Sequence, residues 1–134
     1  MSKLAEFIES MNSRVTPDDT VKALLSQISV SQLAKDPEKI HRAFYRLKVD
    51  HQELLRDFDF DTSSSVPFCD LLDRILFRLE TSTLLGTLNP NYARYEIPDS
   101  TKADFRDGAL AKFSTELRCD IEKAGRRLEE LIGV

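Results

Sequence analysis

The period of the apolar residues changes twice along this chain, and those changes limit the folds open to it. Ile40, Phe44, Leu47, Leu54, Leu55 and Phe58 fall on one helical face, with His51 in the gap. Arg42, Arg46, Lys48 and Glu53 lie mostly off that face. Asp57-Phe58-Asp59-Phe60-Asp61 then alternates strictly, which predicts a short strand, and Thr62-Ser63-Ser64-Ser65 is a polar loop. A second departure comes at Leu84–Leu88 and Tyr92–Ile97, two runs flanking Asn89-Pro90-Asn91, the pattern of a β-hairpin.

Elsewhere the spacing is helical. Leu4, Ile8 and Met11 predict a short helix over residues 2–13. Thr16-Pro17-Asp18-Asp19 supplies a cap, a proline suited to the first helical position and two acids for the positive end of the dipole. Val21, Leu24, Leu25 and Ile28 form the buried stripe of that helix, and Ser29-Val30-Ser31 loosens the pattern. Asp36-Pro37-Glu38 is a second start of the same kind. Ser65-Val66-Pro67 opens a helix that should bury Phe68, Leu71, Leu72, Ile75, Leu76 and Leu79 before Thr81-Ser82-Thr83 ends it.

From about Thr101 one long helix is predicted to run to the C-terminus. At more than 25 residues it would be about 38 Å long, at 1.5 Å per residue. Its apolar positions Leu110, Phe113, Leu117, Ile121, Ala124, Leu128 and Ile132 span 22 residues in six steps. That is the period of a straight helix rather than a left-handed coiled coil. Only four Gly and five Pro interrupt the 134 residues.

A helix leading into a two-stranded hairpin, with an earlier short strand to pair with it, resembles a winged-helix arrangement over residues 36–98. The likeness rests on Ile40-His41-Arg42-Ala43-Phe44, Phe58-Asp59-Phe60, Val66-Pro67-Phe68 and Leu79–Leu85 followed by Tyr92-Ala93-Arg94-Tyr95. The same run is similar to small winged-helix-like bacterial proteins of multi-component defence systems, including the middle component of ABC-three-component systems. That resemblance implies a bacterial accessory protein that works by contact with larger partners.

Composition bounds the function. A net charge of −4 and a pI of about 5.2 argue against a general binder of nucleic acid or anionic membrane. Two cysteines far apart, Cys69 and Cys119, read as reduced thiols. With no apolar run of the roughly 20 residues a span needs and no signal-like start, the expected address is the cytoplasm, without membrane contact.

Candidate chemistry is sparse. Asp57, Asp59 and Asp61 open like a calcium loop, but Thr62 stands where Gly is needed and Phe68 where a bidentate Glu is needed. Cys69 with His41 or His51 is a conceivable thiol–imidazole pair, yet Cys69 adjoins Phe68, Leu71 and Leu72 and reads as a packed thiol. Asp70, Arg74 and Arg78 are spaced as a surface charge ladder. No catalytic residue, metal site or cofactor is expected.

The sequence therefore predicts one mainly α domain over 1–134. Its winged-helix-like centre (36–98) has one short strand and a hairpin, and the helical flanks are 1–35 and 101–134. The expected function is non-catalytic protein interaction, as an adaptor or accessory module meeting a protein partner or a second copy. Phe77, off its helix's buried stripe, and Leu128 and Ile132, near the chain's end, are the partner-binding candidates. The alternative is a winged-helix DNA-binding regulator using Arg74, Arg78, Asn91 and Arg94. It is disfavoured because Asp70, Asp73 and Glu80 outnumber Arg74 and Arg78 on the presumed reading helix.

Overall fold

Thr16 starts the first described helix with its own side chain. Its Oγ1 accepts from the Asp19 N–H at 3.3 Å, and Asp19 Oδ2 accepts from the Thr16 N–H at 3.1 Å. This reciprocal capping box, with Pro17 behind it, sets α1 at Pro17–Ser26. The computed structural model describes residues 15–82, 84–88 and 94–132; the helix expected over 2–13 and the turn at Asn89–Asn91 lie outside them.

Strand β1 follows at Gln32–Ala34, and α2 spans Pro37–Asp50, capped by Asp36, which accepts from the N–H groups of Glu38 and Lys39. Helix α3 covers Asp70–Thr81, β2 Gly86–Leu88 and β3 Arg94–Glu96. Then come α4 (Asp99–Gly108), a single 3-10 turn (Leu110–Lys112) and α5 (Thr115–Ile132). The three strands form one antiparallel sheet in the order β1-β3-β2, with Leu33 and Thr87 both opposite Tyr95. The chain is thus mainly helical, with a small sheet and a long C-terminal helix.

Four expectations need correction. The strand predicted at 57–61 does not join the sheet; only Asp61 bridges, to Phe68. Its alternation is real but has another cause. Phe58 is buried against Phe44 and Phe60 meets Tyr45 edge-on, while Asp59 is turned out to solvent. The segment is extended because it lies across α2, and the first strand of the sheet is β1 instead. Helix α2 also stops at Asp50, since His51 leaves helical geometry, and Leu54, Leu55 and Phe58 are buried from turns.

The helix expected from Thr101 to the end is broken between Gly108 and Thr115. Phe113 takes an extended conformation, and Ser114 Oγ accepts from the Leu117 N–H to restart the chain as α5. The break lets both Leu110 and Phe113 reach the core, and Lys112 pairs with Asp19 of α1 at 3.2 Å. Finally, Phe68 precedes α3 and is 44% exposed rather than buried.

Helix α1 packs between α4 and α5, and α5 also lies along α2. The approach to α1 is close at Gly125, where an added Cβ would come within 2.5 Å of Gln27 Cβ and 3.2 Å of the Leu24 carbonyl. Gly108 has open space around the same position. Gly125→Ala should therefore destabilise the protein by about 1–3 kcal/mol, because overpacking exceeds the gain in helix propensity. Gly108→Ala should be neutral or stabilising by up to ~1 kcal/mol. Urea denaturation of both variants beside the parent checks this, and equal effects would refute the close approach.

Candidate functional site

His41 lies in the stripe of α2 that faces the protein, beside Ile40 and Phe44, and is buried with them. Its Nδ1 accepts a hydrogen bond from the Cys69 N–H at 3.0 Å, which places the neutral ring's proton on Nε2. The ring stacks on Phe68, with centroids 4.6 Å apart and planes 13° from parallel. Nε2 is buried without a hydrogen-bond partner, and Asp73 Oδ1 lies 3.9 Å away. That separation is too long for a direct hydrogen bond.

Cys69 caps α3. Its Sγ accepts from the Leu72 N–H at 3.4 Å, and burial pushes the thiol pKa up. The imidazole meets the backbone amide of Cys69 rather than its sulfur, so no thiol–imidazole nucleophile is assembled. His51 sits at the C-cap of α2, and Cys119 is exposed on α5. Asp61 is engaged locally, accepting from the Ser63 N–H at 2.9 Å.

Two adjoining depressions share Pro37 and His41. One, of about 220 Å³, lies between the start of α2, Tyr95 and the α3 face carrying Asp73, Phe77 and Glu80. The other, of about 310 Å³, lies between Glu38 and the loop Ser64–Phe68. Lys35 spans the first, its Nζ 2.6 Å from Glu80 Oε1 and 5.5 Å from the Tyr95 ring centre. Burial, with Glu80 and Asp73 nearby, pushes the Tyr95 hydroxyl up to about 12, so it stays protonated.

Of the sequence candidates, Phe77 stands at this groove, 64% exposed. Leu128 and Ile132 do not. Leu128 is fully buried, and Ile132 shares a small internal void with Leu25, Leu33, Phe44 and Ile97. Their stripe belongs to the chain's own core, because breaking the C-terminal helix brings α5 back along α1 and α2. Arg74 is held by Asp70 at 2.6 Å, and Arg78 makes a two-pronged contact with Asp18 of α1 at 2.8 and 3.2 Å. Asn91 lies outside the described residues, and Arg94 is placed by its backbone in β3, opposite Ala34 and Leu88.

Nothing in the sequence links Lys35, Asp73 and Tyr95; Asp73 reads there only as an acid of its helix and Tyr95 as a residue of the hairpin. The one available signal was a histidine directly beside two core positions of α2. No helix among the described residues is long and apolar enough to cross a membrane. No protein-family model, curated protein or solved structure matches this chain, so the site is read from its own geometry.

Burial holds the His41 pKa below its ordinary value of 6.5, against the opposing pull of Asp73. The unfolded chain therefore takes up this proton at a higher pH than the folded one. The stabilising contribution is complete above about pH 6.5 and is lost as pH falls through the folded pKa. Protonation also sets an Nδ1–H against the Cys69 N–H. Urea midpoints should fall more for the parent than for His41→Gln between about pH 7.5 and about pH 5. Parallel profiles would show that His41 does not govern the acid response.

Proposed function

We propose that this chain is a non-catalytic protein-interaction module with a winged-helix-like core, serving as an adaptor or accessory component. Its partner docks on the groove around His41. The observation that carries this reading is Phe77, 64% exposed on α3 beside that groove, with Phe68 at 44% on the far side of His41. Phe68 spends one face of its ring on His41 and leaves the rest in water, and exposed aromatic anchors beside a pocket are what interface hot spots are made of.

The winged-helix reading is supported by the element order helix, strand, helix, helix, strand, strand and by the sheet order β1-β3-β2. It departs from the short-turn helix pair in one respect: α2 and α3 are joined by residues 51–69 rather than by the usual turn of about 3–4 residues. A bacterial cytosolic setting with larger partners rests on the resemblance of residues 36–98 alone.

The same element order favours the alternative, a DNA-binding regulator with α3 in the major groove. The ion pairs count against it. Arg74 and Arg78 both spend their charge on carboxylates of this chain, and Asp73 stands beside them.

Two measurements separate these readings. Quantitative affinity purification from the native host, followed by reconstitution with the purified partner, should show Phe77→Asp weakening the complex by about 30-fold or more, the effect of losing an anchor worth ~2 kcal/mol. The thermal melt should not change. Fluorescence anisotropy with duplex DNA at physiological salt should show no submicromolar binding. Strongly salt-dependent DNA binding abolished by Arg74→Ala or Arg78→Ala would reverse the ranking.

A further inference from the structure

The outward side of α2 carries a second apolar surface beyond the His41 groove. Val49 is 62% exposed in the last turn of the helix, and Tyr45 is 37% exposed one turn before it. Phe60, from the connection to α3, lies edge-on to Tyr45 with ring centres 5.5 Å apart. Together with Lys48, Gln52 and Arg56 these residues line an open depression of about 420 Å³. A β-branched residue is a weak helix former, and at this position it buries little of itself in return. Folding does not explain Val49.

The charge at this surface is opposite in sign to that of the whole chain. The lining holds two cations, Lys48 and Arg56, and no acid, whereas the protein carries −4. Lys48 is partly committed, donating to the Phe58 carbonyl at 2.6 Å, with the almost fully exposed Asp59 at 3.8 Å. Arg56 also borders a smaller depression containing Glu53 and Asp57, yet it forms no ion pair among the described residues. A guanidinium left open beside apolar side chains suits a carboxylate, which it can bind through two parallel hydrogen bonds.

We infer that this face of α2 is a second docking surface, taking a partner segment in which Asp or Glu sits next to a leucine or aromatic side chain. The apolar group enters between Tyr45, Val49 and Phe60, and the carboxylate meets Arg56. The surface is preorganised, since Phe58 is buried against Phe44 and carries Phe60 into place, so little ordering is lost on docking. The chain's net charge of −4 disfavours an acidic segment at large, and the two cations in this lining favour it here. The inference is independent of the Phe77 groove. With both surfaces occupied, the chain bridges two partners.

The test uses the full chain as bait for a displayed library of random peptides. Selected peptides are then measured by fluorescence anisotropy. Enriched sequences should pair Asp or Glu with Leu, Phe or Trp, and should bind the parent at least about tenfold more tightly than Val49→Asp/Arg56→Glu. Tyr45→Ser, which leaves the charges intact, should also weaken them, while Phe77→Asp should bind as the parent does. Thermal melts establish that each exposed-site variant is folded. An empty selection, enrichment of basic peptides, or equal binding by the Val49→Asp/Arg56→Glu variant overturns the inference. So does an oligothymidylate that displaces the peptides from this surface, since the anion sought would then be phosphate.

Discussion

Everything in this molecule is arranged around how closely α5 lies against α1. With no side chain at Gly125, the two backbones meet near Leu24 and Gln27, and Ile121, Ala124, Leu128 and Ile132 sink completely into the interior. Wider spacing would leave voids along the whole seam, since interiors fill to crystal-like density. Because α5 and α4 close over α1, that side of the protein is sealed. The other side, where α2 and α3 face outward, is where, among the described residues, the large apolar side chains left in water are found: Tyr45, Val49, Phe68 and Phe77. Buried and exposed apolar side chains are thus segregated by one helix pair.

That segregation explains which features were legible in the sequence. Capping residues were, because they act over three or four positions: Thr16 with Asp19, and Asp36 with the amides after it, behave as their spacing demands. The hairpin strands were legible too, as a break in the helical period. Strand β1 was not, since three residues with a single inward side chain, Leu33, make no pattern. The stripe ending in Leu128 and Ile132 was correctly read as apolar but wrongly assigned. Its period is the same whether the surface it meets belongs to this chain or another, and only the break at Phe113 decides that. Phe77 could be singled out as exposed because it is a lone aromatic off its helix's buried stripe. The groove beside it could not, since Lys35, Asp73 and Tyr95 come together only in space.

The connection between α2 and α3 illustrates how an irregular segment acquires a fixed shape. Phe58 reaches inward to Phe44, Phe60 leans on Tyr45, and Phe68 stacks on His41, so aromatic contacts at 44, 45 and 41 pin it along α2. The bridge between Asp61 and Phe68 closes the polar tip on itself. Both outward surfaces borrow a wall from this segment, and α2 supplies the other. His41 is the point where interior and groove meet: one nitrogen organises the start of α3, and the other is buried without a partner beside a carboxylate.

The sheet has a consequence for how the chain reaches this state. Strands β2 and β3 are neighbours in sequence, but β1 pairs with β3 across about 60 residues, Ala34 with Arg94 and Gln32 with Glu96. A three-residue strand contributes too few hydrogen bonds to close so long a loop unaided. Its docking must follow the collapse of α2 and α3, which carry the two ends of that loop toward each other. Adding β1 to a β2–β3 pair already resting on the helices closes that loop at the smallest entropic cost. The Val30 carbonyl, bound by Lys102, settles with β1, so this strand and its approach, rather than the deeply packed α1, are the natural unit for local opening.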